Sequence, residues 1–279
     1  MSSQPKSMFS LEGKTVLLTG ASGYLGRTMG QAFLENHARV IALGRSERLD
    51  TLKKDWQEEF GENRVNAVRV DMYDIPKFSR VLDEILAQES FVDVLINNAY
   101  ELGPETGFNT PLGTLEDASH EQWMRNLTGG IYWAALTIQK FAPTMKERGH
   151  GSIINVSTMY AHVAPDPQLY ADTDYLNPPG YSAAKAGLLA LTRYTASFLG
   201  PFGVRCNAIL PGPFSNTEDS GPNTVEEGHF FLERLKERTC LRRLGKAEEL
   251  VGPLLFLASG ASSFVTGHSL VVDGGWTIT

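Results

Sequence analysis

The sequence predicts a single-domain α/β protein on a doubly wound parallel sheet of about seven strands. Two observations carry that expectation. Short β-rich runs alternate with longer segments of helical period along the chain, which is the pattern of a parallel sheet covered by helices. Most of these runs are apolar at successive positions, as in strands buried on both faces. The 279 residues would suggest about two domains at roughly 150 residues each. No Pro-, Gly- or Ser-rich linker divides the chain, however, so one domain over residues 11–279 is expected. Residues 1–10 read as a flexible lead-in.

The elements follow in order. Residues 14–19 (KTVLLT) form the first run and lead through a glycine-rich turn into a helical segment at 26–36. The second run, 39–43 (RVIAL), precedes a third at 65–70 and a fourth at 92–97 (VDVLIN). A long helical stretch at 119–148 introduces the fifth run, 152–157 (SIINVS), and another at 182–200 introduces the sixth, 204–210. Helical period at 247–259 precedes the last run, 269–272. Ligands of such sheets bind beyond the carboxyl ends of the strands. Three irregular stretches lie there: 100–117, 159–180 and 211–224, the last leading into a helix at 225–238 expected to be mobile.

Composition excludes several function classes. Lys and Arg number 25 against 32 Asp and Glu, a net charge of −7, which argues against a nucleic-acid partner while leaving room for a local basic pocket. Two cysteines, Cys206 and Cys240, make no disulfide framework and suit a reducing compartment. No apolar run nears the ~18 residues of a membrane span, and the start lacks a signal-peptide stretch. A soluble, cytoplasmic protein is expected. His37, His120, His150, His162, His229 and His268 show no ligand spacing, so no metal is expected. His162 stands out for its place in the loop after the fifth strand.

Residues 19–26 (TGASGYLG) follow the first strand and open the first helix. Glycines there allow a sharp turn and close approach to a pyrophosphate, and the helix amino terminus offers free N–H groups. Gly20, Ser22, Gly23, Tyr24, Leu25 and Gly26 are therefore expected to bind a dinucleotide in a Rossmann-like manner. The second strand ends Gly44-Arg45 in place of the acid that would meet a ribose. Arg45 can hold a 2′-phosphate in a fork, so NADP(H) is the expected cofactor. NAD(H) is the alternative, with Glu47 or Asp50 meeting the ribose and Arg45 solvated. Asp71-Met72 and Asn98-Ala99 close the third and fourth strands on the same rim and join the cofactor set.

Tyr181 and Lys185 stand at i and i+4 on a predicted helix and share a face. An ammonium beside a phenol favours the phenolate, as a tyrosine exchanging protons near neutral pH requires. Tyr73 and Lys77 repeat the spacing, but Pro76 spoils the helix face unless it sits in the first turn.

Taken with the hydroxyl pair Ser157-Thr158, Pro211-Gly212 and the closing run 266–275 (TGHSLVVDGG), these motifs resemble the short-chain dehydrogenase/reductase family from about residue 11 to the end. The resemblance implies Tyr181 as general acid/base, and Lys185 as ribose anchor and pKa modifier. It implies Asn126, in Asn-Leu-Thr-Gly, as holder of a water in a proton relay, and a hydroxyl that orients the substrate. Counting from the strand start favours Thr158 for that role and leaves Ser157 open. Pro211, Gly212 and Phe214 join the cofactor contacts. Family members assemble as homodimers or homotetramers, and the apolar faces of 131–141 and 188–199 are compatible with this.

The sequence departs from the family in four places. Glycines at 20, 23 and 26 have the spacing of the extended branch, which suggests a nucleotide-sugar epimerase or dehydratase as the rival reading; the chain's ending favours the compact branch. A non-catalytic dinucleotide-binding member is the third. Tyr100 stands where glycine is usual and can line the pocket. Asn216, flanked by Ser215 and Thr217, replaces the usual threonine. An insertion at 164–180 carries Asp166, Tyr170, Asp172, Asp174, Tyr175 and Asn177, either a solvated loop or a polar wall for hydroxyl-rich substrates. Met159-Tyr160 and Pro213-Phe214 resemble a gluconate dehydrogenase-like or sugar-modification subgroup. A sugar, polyol or sugar-derived acid is therefore the expected small polar substrate, with Tyr100, His162, Tyr170 and Tyr175 as its candidate contacts.

Overall fold

A computed structural model describes residues 7–89, 91–173, 175–214 and 226–279, without the side chains of 226–229. Asp174, Ser215, Asn216, Thr217 and the His229 side chain lie outside the described residues. The seven predicted strands form one parallel sheet: β1 (Thr15–Thr19), β2 (Arg39–Gly44), β3 (Val65–Arg69), β4 (Val94–Asn97), β5 (Gly151–Val156), β6 (Val204–Pro211) and β7 (Ser269–Val272). Their order is β3-β2-β1-β4-β5-β6-β7. The start of β4 moves furthest from expectation, from residue 92 to Val94.

Period-two alternation builds two cores, one on each face. Val16, Leu18, Val40, Ala42, Val94 and Ile96 face one cluster. Leu17, Ile41, Leu43, Leu95 and Ile153 face the other. This is why the runs read as continuously apolar: neither face meets water.

Helices α1 (Tyr24–Glu35), α2 (Arg48–Phe60), α3 (Ile75–Glu89), α4 (His120–Leu127), α5 (Trp133–Arg148), α6 (Pro179–Leu199), α7 (Glu226–Arg238) and α8 (Val251–Ala258) cover the sheet. Ser119 opens α4 with a capping box to Gln122. The expected helix at 119–148 is continuous but widens into a π-helical turn at Thr128–Tyr132. Packing explains the small residues there: a Cβ on Gly130 would come within 2.6 Å of the Ala184 Cβ on α6. Such turns concentrate at functional sites. Pro76 lies in the first turn of α3 and Tyr73 before it, so Tyr73 and Lys77 share no helix face. Among the described residues, no helix is long and apolar enough to cross a membrane.

Strand order reverses between β1 and β4, and the loops leaving them part to opposite sides. The Thr19 hydroxyl ties the two ends together, accepting from the amides of Asn98 and Ala99 at 3.0 Å each and donating to the Ile96 carbonyl. Gly20 sits at φ +69, where a Cβ would meet Ala99 Cα at 2.8 Å. Glycine is required there for conformation and for space.

Behind this crevice lies a buried polar chain. Thr137 of α5 donates to Asn97 at 2.6 Å, Asn97 donates to Asn155 at 2.8 Å, and Asn155 donates to Thr192 of α6 at 2.9 Å. These bonds pin two helices to the centre of the sheet. Asn155→Ala strands the partners on both sides, and urea unfolding should show a loss of about 2–4 kcal/mol; a loss well below 1 kcal/mol would mean the chain is redundant.

Candidate active site

Beyond the carboxyl ends of the strands lies a cavity of about 540 Å³. Gly20, Ser22, Gly23, Tyr24, Leu25 and Gly26 form one wall, and Arg45, Asp71 and Met72 continue it past β2 and β3. Asn98, Ala99 and Tyr100 lie across from them, with Pro211, Gly212 and Phe214 at the far end after β6. Thus all the residues assigned to the cofactor meet at one cavity. Ser157, Thr158, Tyr181 and Lys185 form its floor. Asn126, His162, Tyr170 and Tyr175 are not in its lining.

The local chemistry separates the two hydroxyls after β5. Ser157 Oγ donates to the Lys185 carbonyl at 3.0 Å and so holds α6. A hydrogen bond joins Thr158 to Tyr181. Thr158 is therefore the hydroxyl that faces the phenol. Tyr181 keeps an accessible edge, and its ring is flanked edge-on by Tyr100 at 5.0 Å and Phe108 at 5.1 Å.

Lys185 is 4% exposed. Its Nζ donates to the Val156 carbonyl at 2.8 Å and lies 4.9 Å from the centre of the Tyr100 ring. Burial holds its pKa down to about 7. Burial also pushes Tyr181 up to about 12, against the Thr158 hydrogen bond, which favours the phenolate. This corrects the expectation from helix spacing. Loss of water is the largest cause at both groups, and it favours the neutral form of each.

Asn126 is 1% exposed. Its amide donates to the Thr106 and Gln122 carbonyls, and its Oδ1 accepts from the Tyr100 hydroxyl.

Among the described residues, none of the insertion lines the cavity. Tyr175 stacks on Phe231 of α7 at 4.6 Å, the Tyr170 hydroxyl lies 3.1 Å from that of Tyr160, and Asp166 pairs with Arg238 at 2.9 Å. Tyr170 belongs to a cluster that backs Tyr181. His162 is exposed. Amphipathic tyrosines satisfied both the polar-wall reading and aromatic packing, and the partner helix decided for packing.

At the other end, Arg45 Nη2 lies 2.7 Å from the Glu101 carboxylate. Arg69 takes Asp50 at 2.9 Å and Glu47 at 3.7 Å, so both acids offered as ribose partners are engaged. The groove opens here onto a basin with Arg45, Arg48, Arg69 and Lys77 set against Glu47 and Asp71. Sequence reasoning missed Glu101 and Trp133 in the lining. Glu101 sits two residues past a recognised motif with no pattern of its own, and Trp133 follows the π-helical turn that no local signal marked.

Residues 20–277 match the family model described as enoyl-(acyl carrier protein) reductase. An L-rhamnose 1-dehydrogenase (NAD(P)(+)) of Azotobacter vinelandii is 35% identical over 272 residues, covering 94% of this chain and 96% of that protein. The chain belongs to the short-chain dehydrogenase/reductase family. It is an NAD(P)-dependent oxidoreductase. The gluconate 5-dehydrogenase of Gluconobacter oxydans is 32% identical, with 98% of each chain covered. Among solved structures, a gluconate 5-dehydrogenase from Burkholderia cenocepacia in complex with NADP and tartrate superposes with a TM-score of 0.82 at 26% identity, again over 98% of each chain.

In this dehydrogenase the pKa of Lys185 makes stability depend on pH. An unfolded lysine keeps its proton up to about 10.5, whereas the folded one releases it near 7. Between those values the unfolded chain binds the extra proton, so stability rises with pH; the raised Tyr181 acts oppositely, but only above its unfolded value of 10.0. Relative to Lys185→Met, the wild type should gain up to about 1.4 kcal/mol per pH unit from pH 7.5 to 9.5. Urea titrations at several pH values check this, and a flat difference would show that the buried amine stays charged.

Proposed function

We propose that this chain interconverts a secondary hydroxyl and a carbonyl on a sugar, polyol or sugar-derived acid, using NADP(H), with NAD(H) as the alternative cofactor. The observation that carries the reading is the meeting of Tyr181, Thr158 and Lys185 on the floor of a groove whose other walls fit a dinucleotide. The fit rests on the walls themselves. A Cβ on Gly26 would lie 2.1 Å from the Gly20 carbonyl oxygen and one on Gly44 3.3 Å from Ser22 Oγ, so the turn needs its bare backbone.

Gly20–Gly26 would hold the pyrophosphate, Arg45 the 2′-phosphate, and Lys185 the ribose next to the nicotinamide. The nicotinamide, when bound, supplies or accepts the hydride. Tyr181 gives the proton to the carbonyl oxygen in reduction and takes it from the hydroxyl in oxidation. Its raised pKa keeps the phenol protonated at neutral pH, ready to donate. Oxidation needs the phenolate, which positive charge on Lys185 stabilises. Thr158 donates to the substrate oxygen and orients it. Tyr100 and Phe108 exclude water from the phenol.

The sugar class is supported by the L-rhamnose and gluconate dehydrogenases matched over nearly their whole length. Those relatives also favour the dehydrogenase over the epimerase or dehydratase reading that the glycine spacing raised. The exposed Tyr194 and Phe198, stacked 6.2 Å apart on α6, support a homodimer or homotetramer through that face, and the free Cys206 and Cys240 suit the cytoplasm.

A screen of sugars, polyols, sugar acids and apolar ketones with NADP(H) and NAD(H), read by nicotinamide absorbance, tests the assignment. Turnover on polyhydroxylated compounds is expected, and activity confined to apolar ketones would overturn it. Tyr181→Phe should lower kcat by about 10²–10⁴. Turnover that survives this change would remove Tyr181 from the mechanism.

A further inference from the structure

We propose that Glu101 determines how strongly the groove selects a 2′-phosphorylated dinucleotide, by holding Arg45 in an ion pair that crosses the groove. The proposal rests on the reading of Arg45 as the phosphate ligand. Arg45 directly follows β2, and Glu101 lies in the loop after β4. Strand β1 stands between those two strands in the sheet. The 2.7 Å pair therefore passes over the end of β1, where the glycine turn begins.

The two partners are held unequally. Glu101 is 9% exposed at its side chain, and Arg45 is 56% exposed. Arg125 donates to Glu101 Oε2 through Nε at 3.0 Å and Nη2 at 2.7 Å. The same guanidinium stacks 3.9 Å from the centre of the Tyr73 ring, whose hydroxyl donates to the Arg125 carbonyl at 3.4 Å. Burial works to raise the Glu101 pKa, but bonds from Arg125, Arg45 and Tyr73 keep it below its usual value. The carboxylate is thus charged and anchored to α4, while Arg45 meets it from an exposed stem.

Glu101 occupies Nη2 of Arg45, so a 2′-phosphate can take the full fork of the guanidinium only if Arg45 leaves Glu101. It exchanges one charge-assisted bond for another, so the phosphate gains less from the guanidinium than from an unpaired one. A dinucleotide with a free 2′-hydroxyl asks for no such exchange. Glu101 accordingly narrows the gap between the two nucleotides, and the groove accepts both.

Dissociation constants for NADP⁺ and NAD⁺, measured by calorimetry without substrate, test this in wild type, Glu101→Gln, Arg45→Gln and the double variant. Glu101→Gln should raise the affinity ratio of NADP⁺ over NAD⁺ by about 5- to 30-fold, and Arg45→Gln should lower it. In the double variant the Glu101 effect should vanish. An unchanged or lower ratio in Glu101→Gln overturns the proposal. So does an equal gain in the Arg45→Gln background, which would mean that Glu101 repels the phosphate directly. A ratio indifferent to Arg45→Gln alone removes the phosphate ligand itself, and the proposal with it. If Glu101→Gln does not fold, Glu101→Asp keeps a charge for Arg125 but draws back from Arg45. It should move the ratio the same way by a smaller factor, and no movement overturns the proposal.

Discussion

The bond network of Thr19 is the contact on which the site depends. One hydroxyl receives two amides from the end of β4 and donates a third bond back to it, and the Asn98 carboxamide returns two bonds to the carbonyls of Thr19 and Gly20. The two strands whose connections diverge are thereby clamped at their carboxyl ends. Glycine at position 20 follows from how close the clamp brings the loops. Once the loop after β4 is held there, Tyr100 projects toward Tyr181 and Glu101 reaches across to Arg45. The groove is built outward from one threonine.

At the floor of that groove, water is the quantity the fold controls. Lys185 is buried with a backbone carbonyl and an aromatic face for company, and Tyr181 is walled by two rings. Burial favours the neutral form of each. The protein alone therefore holds a protonated phenol and a readily deprotonated amine. Any positive charge that enters alongside acts in a medium where it is weakly screened, so a modest change of surroundings shifts both groups a long way.

The insertion shows a second use of tyrosine. Tyr170 and Tyr175 join the chain after β5 to α7 through Tyr160 and Phe231, and the Asp166–Arg238 pair closes the same contact. The described residues of the insertion join the cluster in which Tyr181 packs. Tyr100 stands in the cavity, whereas His162, Tyr170 and Tyr175 lie outside its lining, Tyr170 being near enough to act on the Tyr181 phenol.

The amino-acid sequence by itself determined the sheet, the glycine turn, the Tyr181–Lys185 pair and the rim residues after β2, β3, β4 and β6. These are local properties: a run of apolar residues, a glycine where the backbone must turn, an i,i+4 spacing on one helix. Tertiary structure alone decided which of Ser157 and Thr158 meets the phenol, what the insertion touches, and who holds Arg45. Each of those depends on residues distant in the chain, such as Lys185, Phe231 and Glu101, brought together by strand order. It also decided the sign of the pKa shifts at Tyr181 and Lys185. Sequence spacing reports which groups are neighbours, but only packing reports how much water they have lost, and here the lost water is the larger effect.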